Sequence, residues 1–286
     1  MSSYSPYQIK SHIWCEEPEP DNPYVARASY CHGYDVYGEM VGNAKWVEML
    51  YLLFKGETPT PMQASMLEAL AVALANPGPR EASVHAAMAG AVGGSTAASC
   101  LMAALAVGAG QLSGGREIFL LMKAWQECEF DITQWSSWLK APPSVPGSIW
   151  PVAEHPLGFD PYGIRTSTPV RQLLAKLLAV AVEHADDKFI SHEIVTLVTR
   201  SHLCLDWLKK NLEALESIAD CPLALSGVTA AAFVDLGFKP EQGEMLYLLL
   251  RLPGAAAHAL EQREYGHKSF PFGEIILEEN LNNDKK

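Results

Sequence analysis

Gly33-Tyr34-Asp35-Val36, followed by Val47-Glu48-Met49-Leu50-Tyr51-Leu52-Leu53-Phe54-Lys55-Gly56-Glu57 and Pro59, is the stretch from which the architecture of this 286-residue chain can be read. Its first part reads as a turn. The second is an amphipathic helix, with Val41, Trp46, Met49, Leu50 and Leu53 at helical spacing, and Gly56, Pro59 and Pro61 break it. Working outward, the apolar spacing predicts helices over 62–75, 116–128, 170–185, 190–219, 227–236 and 240–258. The Ala- and Gly-rich stretch 86–110 reads as two short helices interrupted near Gly93-Gly94. Seven prolines between 142 and 169 predict a long irregular connection. No run of apolar alternation calls for a strand, and no internal repeat is visible. The expected fold class is all-α with long loops, and both polar ends are expected to be partly disordered.

A chain of this length buries a sizeable core as a large domain, or as a main body with a smaller lobe. The six cysteines form no CxxC and no regular framework, which points to free thiols in a reducing compartment and a cytoplasmic location. The N-terminus has neither the basic start nor the apolar centre of an export signal. A net charge of -12 with dispersed basic residues argues against nucleic acid as a partner. Residues 86–110 carry no charge and match the roughly 20 residues of a membrane span. They are mostly Ala and Gly, however, whereas insertion is driven by Leu, Ile, Phe and Val. Small residues instead allow close helix packing, so this stretch is expected to form a two-fold homodimer interface.

A second stretch, Arg251-Leu252-Pro253-Gly254-Ala255-Ala256-Ala257-His258-Ala259-Leu260-Glu261-Gln262, sets His258, Glu261 and Gln262 on one helical face. It resembles the closing helix of a citrate synthase. Gly33-Tyr34-Asp35 and the run from Glu48 to Pro59 are similar to the superfamily's opening, a "GYD" turn before an "E-x-x-Y-L-L-x-x-G-E-x-P" helix. Gly110-Gln111-Leu112-Ser113-Gly114-Gly115 stands where that family reads Gly-Pro-Leu-His-Gly-Gly. His155 stands where it reads Gly-His ahead of Asp-Pro-Arg. The matches run in the family's order from Gly33 to Gln262, about four-fifths of the chain. The short length is similar to citryl-CoA lyase-type members.

The resemblance implies a citrate synthase-like fold: a large helical body from 31–144 and 236–276, and a smaller lobe from 145–235 closing over a cleft. Residues 1–30 are then an extension and 277–286 an acidic tail. It also implies an enzyme that makes or cleaves a carbon–carbon bond beside a coenzyme A thioester, with a keto acid as the other partner and a citrate-like acid as product. Such chemistry needs a base for the proton beside the thioester, a donor for the enolate oxygen and an acid for the keto carbonyl. By resemblance His155 is the acid, Ser113 the donor, and Arg251 with Arg165 or Arg171, and His258, hold substrate carboxylates. Gly114, Gly115, Arg263 and Lys268 meet coenzyme A.

The departures are specific. Ser113 replaces the donor histidine. The position of the family's catalytic Asp falls on Ser226, with Asp220 the nearest carboxylate in sequence. Pro77 replaces the histidine of an Asp-His-Gly-Pro turn, and Thr168-Pro169-Val170-Arg171 slides the arginine of Asp-Pro-Arg. A positioned base contributes ~10²–10⁴-fold and an oxyanion donor about 10²–10³-fold. Three possibilities therefore stay open: Ser113, Asp220 and His155 form a rearranged site, the substrate pair differs, or the chain is a degenerate homologue that binds acyl-CoA or a partner subunit without turnover. Two other patterns carry nothing. Gly108-Ala109-Gly110 opens a dinucleotide fingerprint but follows a helix rather than a strand. His192-Glu193 lacks the second histidine of a zinc site, so no metal is expected.

Overall fold

The computed structural model describes residues 10–141, 155–185 and 203–273. The expected helical start at 190–202, the connection before residue 155 and the tail 277–286 lie outside the described residues.

The chain begins with β1 (Trp14–Glu19), β2 (Asn22–Cys31) and β3 (Tyr34–Asp35), an antiparallel sheet in the order β1-β2-β3. This corrects the expectation that no strand occurs. The register runs from Trp14 opposite Cys31 to Glu17 opposite Ala28 and slips at Pro18, which has no N–H for the ladder. Most of β2 is solvent-exposed, Tyr24 to 95%. A sheet with no well-buried face imposes no alternation on its sequence.

Eleven helices among the described residues follow: α1 (Trp46–Lys55), α2 (Pro61–Leu74), α3 (Ala82–Val92), α4 (Ala97–Gly108), α5 (Gly115–Cys128), α6 (Ile132–Lys140), α7 (Thr168–Ala185), α8 (Leu203–Lys210), α9 (Leu212–Ala219), α10 (Leu225–Asp235) and α11 (Pro240–Tyr265). The mainly helical class expected from the sequence is the one observed. Local chemistry sets the boundaries. Asp35 accepts from the N–H groups of Tyr37 and Gly38 at 3.1 and 2.9 Å, opening a short π-helical turn. At α1, the Glu48 side chain accepts from the Lys45 N–H at 2.8 Å, and left-handed Gly56 ends the helix. Thr60 and Gln63 cap α2 reciprocally. The single helix expected over 190–219 is interrupted at Asn211, which leaves helical geometry at φ -105° and ψ 10° and whose side-chain amide shares the Trp207 carbonyl with its own backbone N–H, at 2.9 and 3.0 Å.

The contacts divide the chain into two units, one holding the described residues of Met1–Asn76 and Gly108–Arg251 and the other those of Pro77–Val107 and Leu252–Lys286. The core of the first unit forms around α10, which is buried on all sides. Helices α5, α7 and α8 pack on it, and α2 packs on α7. Tyr51 of α1 joins this core, donating from its hydroxyl to the Leu236 carbonyl at 3.3 Å and accepting from Gln63 Nε2 at 2.8 Å. The second unit has a small core of Val84, Ala87, Met88, Ala91, Cys100, Ala104, Ala255 and Ala259. Its α3 and α4 are separated at Gly93-Gly94, as the spacing predicts.

Asp235 anchors α8 to α10. Its two carboxylate oxygens accept from the N–H groups of Cys204 and Leu205 at 3.0 Å each, and burial pushes its pKa from 3.8 to about 7 against those bonds. The folded chain therefore retains a proton that the unfolded chain releases near pH 4. The associated stability is full below pH 4 and is lost as pH rises through about 7, at up to about 1.4 kcal/mol per pH unit. Urea unfolding from pH 4 to 8 should show wild type losing stability relative to Asp235→Asn. Parallel curves for the two proteins would refute this.

Candidate active site

The turn that carries Ser113 folds back so closely that no side chain fits at Gly114. A Cβ there would lie 2.4 Å from the Gly110 carbonyl oxygen and 2.7 Å from that of Gly108. Ser113 is left-handed at φ 59°. These two residues deliver the chain into α5, where Gly114 is the N-cap and supplies no capping side chain. The third residue of the helix, Glu117, does that work instead. Its Oε2 accepts from the Ser113 N–H at 2.5 Å, and the positive helix end favours the carboxylate.

Glu117 is only 2% exposed. Its Oε1 accepts from the Gly158 N–H and from the Ser226 hydroxyl, each at 2.8 Å. Burial pushes its pKa up, while the three hydrogen bonds and the charge of His155 pull the other way. Gly158 and Ser226 are held beside each other because Phe159 and Leu223 form a β-bridge and the Ala224 N–H donates to the Gly158 carbonyl at 2.9 Å. Gly227 permits this approach, since a Cβ there would meet the Gly158 oxygen at 2.7 Å. On the other side of the turn, buried Arg251 donates to the Ser113 carbonyl at 2.8 Å and lies over the Tyr247 ring, 4.6 Å from its centroid.

Ser113 and Ser226 thus meet on one carboxylate, which also feels the charge of His155, while Arg251 holds the Ser113 carbonyl. Gly114 and Gly115 belong to the same turn, Gly115 packing on Leu248. The other candidates make contacts of their own. Asp220 is an exposed, left-handed cap at the end of α9, where its charge helps burial push up the pKa of Cys221. Arg165 is exposed, and exposed Arg171 donates to the Thr168 hydroxyl at 3.2 Å in the first turn of α7. In the second unit, His258 Nδ1 lies 3.1 Å from a Glu261 oxygen, Arg263 donates to the Ser95 carbonyl at 2.8 Å, and Lys268 is exposed in a 3-10 turn. Among the described residues, no group of three His, Cys, Asp or Glu side chains is arranged to hold a metal.

Glu117 is the residue that sequence reasoning missed. The available signal was an acidic residue in the first turn of a helix following Gly114-Gly115, a position from which a side chain reaches back to the preceding N–H.

Solved structures with this fold include citryl-CoA lyase from Hydrogenobacter thermophilus, 18% identical with a TM-score of 0.66 over 95% of this chain and 96% of that one. ATP citrate lyase from Methanothrix soehngenii, in complex with citrate and coenzyme A, is 17% identical with a TM-score of 0.65, covering 96% of this chain and 42% of the longer lyase. Citrate synthase from the archaeon Thermoplasma acidophilum, in a ternary complex with carboxymethyl coenzyme A and oxaloacetate, is 17% identical with a TM-score of 0.54 over 82% of this chain and 59% of that one. No protein-family model matches the sequence, and no curated protein matches it. The expected citrate synthase-like fold is therefore the observed one, mostly helical with one small sheet, in a chain of citryl-CoA lyase size.

Gly114→Ala tests the turn. Its methyl group meets backbone on two sides, so the substitution should cost ~1–3 kcal/mol in denaturant unfolding. A variant as stable as wild type would show that the turn is not packed as described.

Proposed function

We propose that this chain is a citrate synthase-like or citryl-CoA lyase-like enzyme, forming or cleaving a carbon–carbon bond between an acyl-CoA and a keto acid, with a citrate-like acid on the joined side. The observation that carries this reading is that Ser113 and Ser226 both donate to buried Glu117, whose carboxylate also feels the charge of His155. In this reading the Ser113 hydroxyl donates to the thioester oxygen and His155 supplies the proton for the keto oxygen. Arg251, with Arg165 or Arg171 and His258, binds the substrate's carboxylates. Gly114 and Gly115, Arg263 and Lys268 serve coenzyme A. The solved lyase and synthase complexes with coenzyme A and citrate or oxaloacetate support the ligand class.

The Ala- and Gly-rich α3 and α4 give the homodimer reading its support. Cys100 and Ala104 of α4 face inward, while Met102 and Val107 are 60% and 46% exposed and open to a second copy. All six cysteines are free thiols, consistent with a reducing cytoplasm. Among the described residues no helix is long and apolar enough to cross a membrane. A second reading, a homologue that binds acyl-CoA or a partner subunit without turnover, is favoured by the hydroxyls at 113 and 226, where the family's chemistry calls for a histidine and an Asp.

Calorimetric titration with coenzyme A and acetyl-CoA, with and without oxaloacetate or citrate, followed by a free-thiol assay, separates the two. Binding with release or consumption of thiol supports the enzyme. Binding without turnover supports the second reading, and no binding removes both. Arg251→Ala should weaken citrate or oxaloacetate binding about 10- to 100-fold, the range for one charge-assisted hydrogen bond. Unchanged carboxylate binding in that variant would take Arg251 out of the substrate site.

A further inference from the structure

We propose that Glu117 is the catalytic base, the group that removes the proton beside the thioester. This inference rests on the thioester reading above and adds what that reading lacks. Enolate formation needs a base, and position 226, where the family resemblance places one, holds a serine. The Ser226 hydroxyl is spent on Glu117 at 2.8 Å. The carboxylate is thus carried by α5 instead of α10, on the other side of a single hydrogen bond. Asp220, the other carboxylate considered, is exposed at the end of α9.

Three features suit Glu117 to this work. Exclusion from water raises its basicity, the usual means by which a carboxyl group becomes an effective proton acceptor near neutral pH. Its Oε1 is held by two donors, which fixes the plane of the group. Its Oε2 accepts the N–H of Ser113, the residue whose hydroxyl is the proposed thioester donor. Base and donor therefore belong to the same turn. At 2% exposure the carboxylate is shielded from bulk water, so the proposed step requires the Ser113 turn to move aside and admit the acyl group to Oε2.

The step balances without a further reactant. The C–H bond beside the thioester breaks, an O–H bond forms at Oε2, and the electron pair moves onto the thioester oxygen, which the Ser113 hydroxyl holds. The enolate carbon then attacks the keto carbon, whose oxygen takes a proton from His155. In the cleavage direction the same events reverse, and Glu117 returns its proton to carbon.

Proton exchange isolates this step. Acetyl-CoA and propionyl-CoA are incubated in D2O, with and without oxaloacetate, and deuterium entering beside the thioester is followed by NMR for wild type, E117Q and E117Q/S226D. Binding of the same thioesters is measured by calorimetry. We expect wild type to exchange, E117Q to bind as wild type but exchange at least 100-fold more slowly, and the double variant, which returns a carboxylate to position 226, to recover tenfold or more. A purely structural role for Glu117 would give no such recovery. Should E117Q not fold, E117D keeps the charge one methylene short and should lose at least tenfold in exchange. Exchange at the wild-type rate in E117Q or E117D would place the base elsewhere and leave the thioester reading intact. Binding by wild type without exchange would overturn the base and keep only the binding reading, and absence of binding would overturn both.

Discussion

A carboxylate withdrawn from water must be matched by donors, and Glu117 draws its three from three separate parts of the chain: the Ser113 turn, the loop at Gly158 and the first turn of α10 at Ser226. Removing any one donor would leave a buried acceptor short, at ~1–3 kcal/mol. The three segments are therefore held in mutual register by one side chain. Arg251 extends the constraint from the other side, because its guanidinium holds the Ser113 carbonyl while resting on Tyr247.

This register depends on small residues. Helix α10 is buried on all sides, and its Ser226, Gly227, Ala230, Ala231 and Ala232 let neighbouring backbone come close where larger side chains would hold it away. Gly227 lies against the Gly158 carbonyl, and that contact brings the Gly158 N–H within reach of Glu117. Packing and polar chemistry are thus linked, since a bulkier residue on α10 would displace a loop that supplies a hydrogen bond to the site.

What could be read in the sequence follows from how local each signal is. Helix α1, its stop at Gly56 and the start of α2 were legible because caps and apolar period lie within a few residues of each other. The break at Asn211 was not, since a change of backbone angles at one residue leaves the apolar period intact. The N-terminal sheet was silent because so little of it is buried. Ser113, His155 and Arg251 are candidates through motif order, whereas Glu117 looks like any acidic residue opening a helix. Its burial is set by partners 41 and 109 positions away, Gly158 and Ser226, which no short window contains.

The cost of Glu117 also bears on the choice between enzyme and inert homologue. A glutamine would set its NH2 group against one of the three donors, and an apolar residue would leave all three unpaired, so the acceptor at this position is also structural. The site keeps a carboxylate that burial makes more basic, bonded to the Ser113 turn and within the field of His155. Buried titratable groups with opposing neighbours are characteristic of places where protons are moved. The three donors give the carboxylate a structural role, and its raised basicity is the added property that the proposed proton transfer would use.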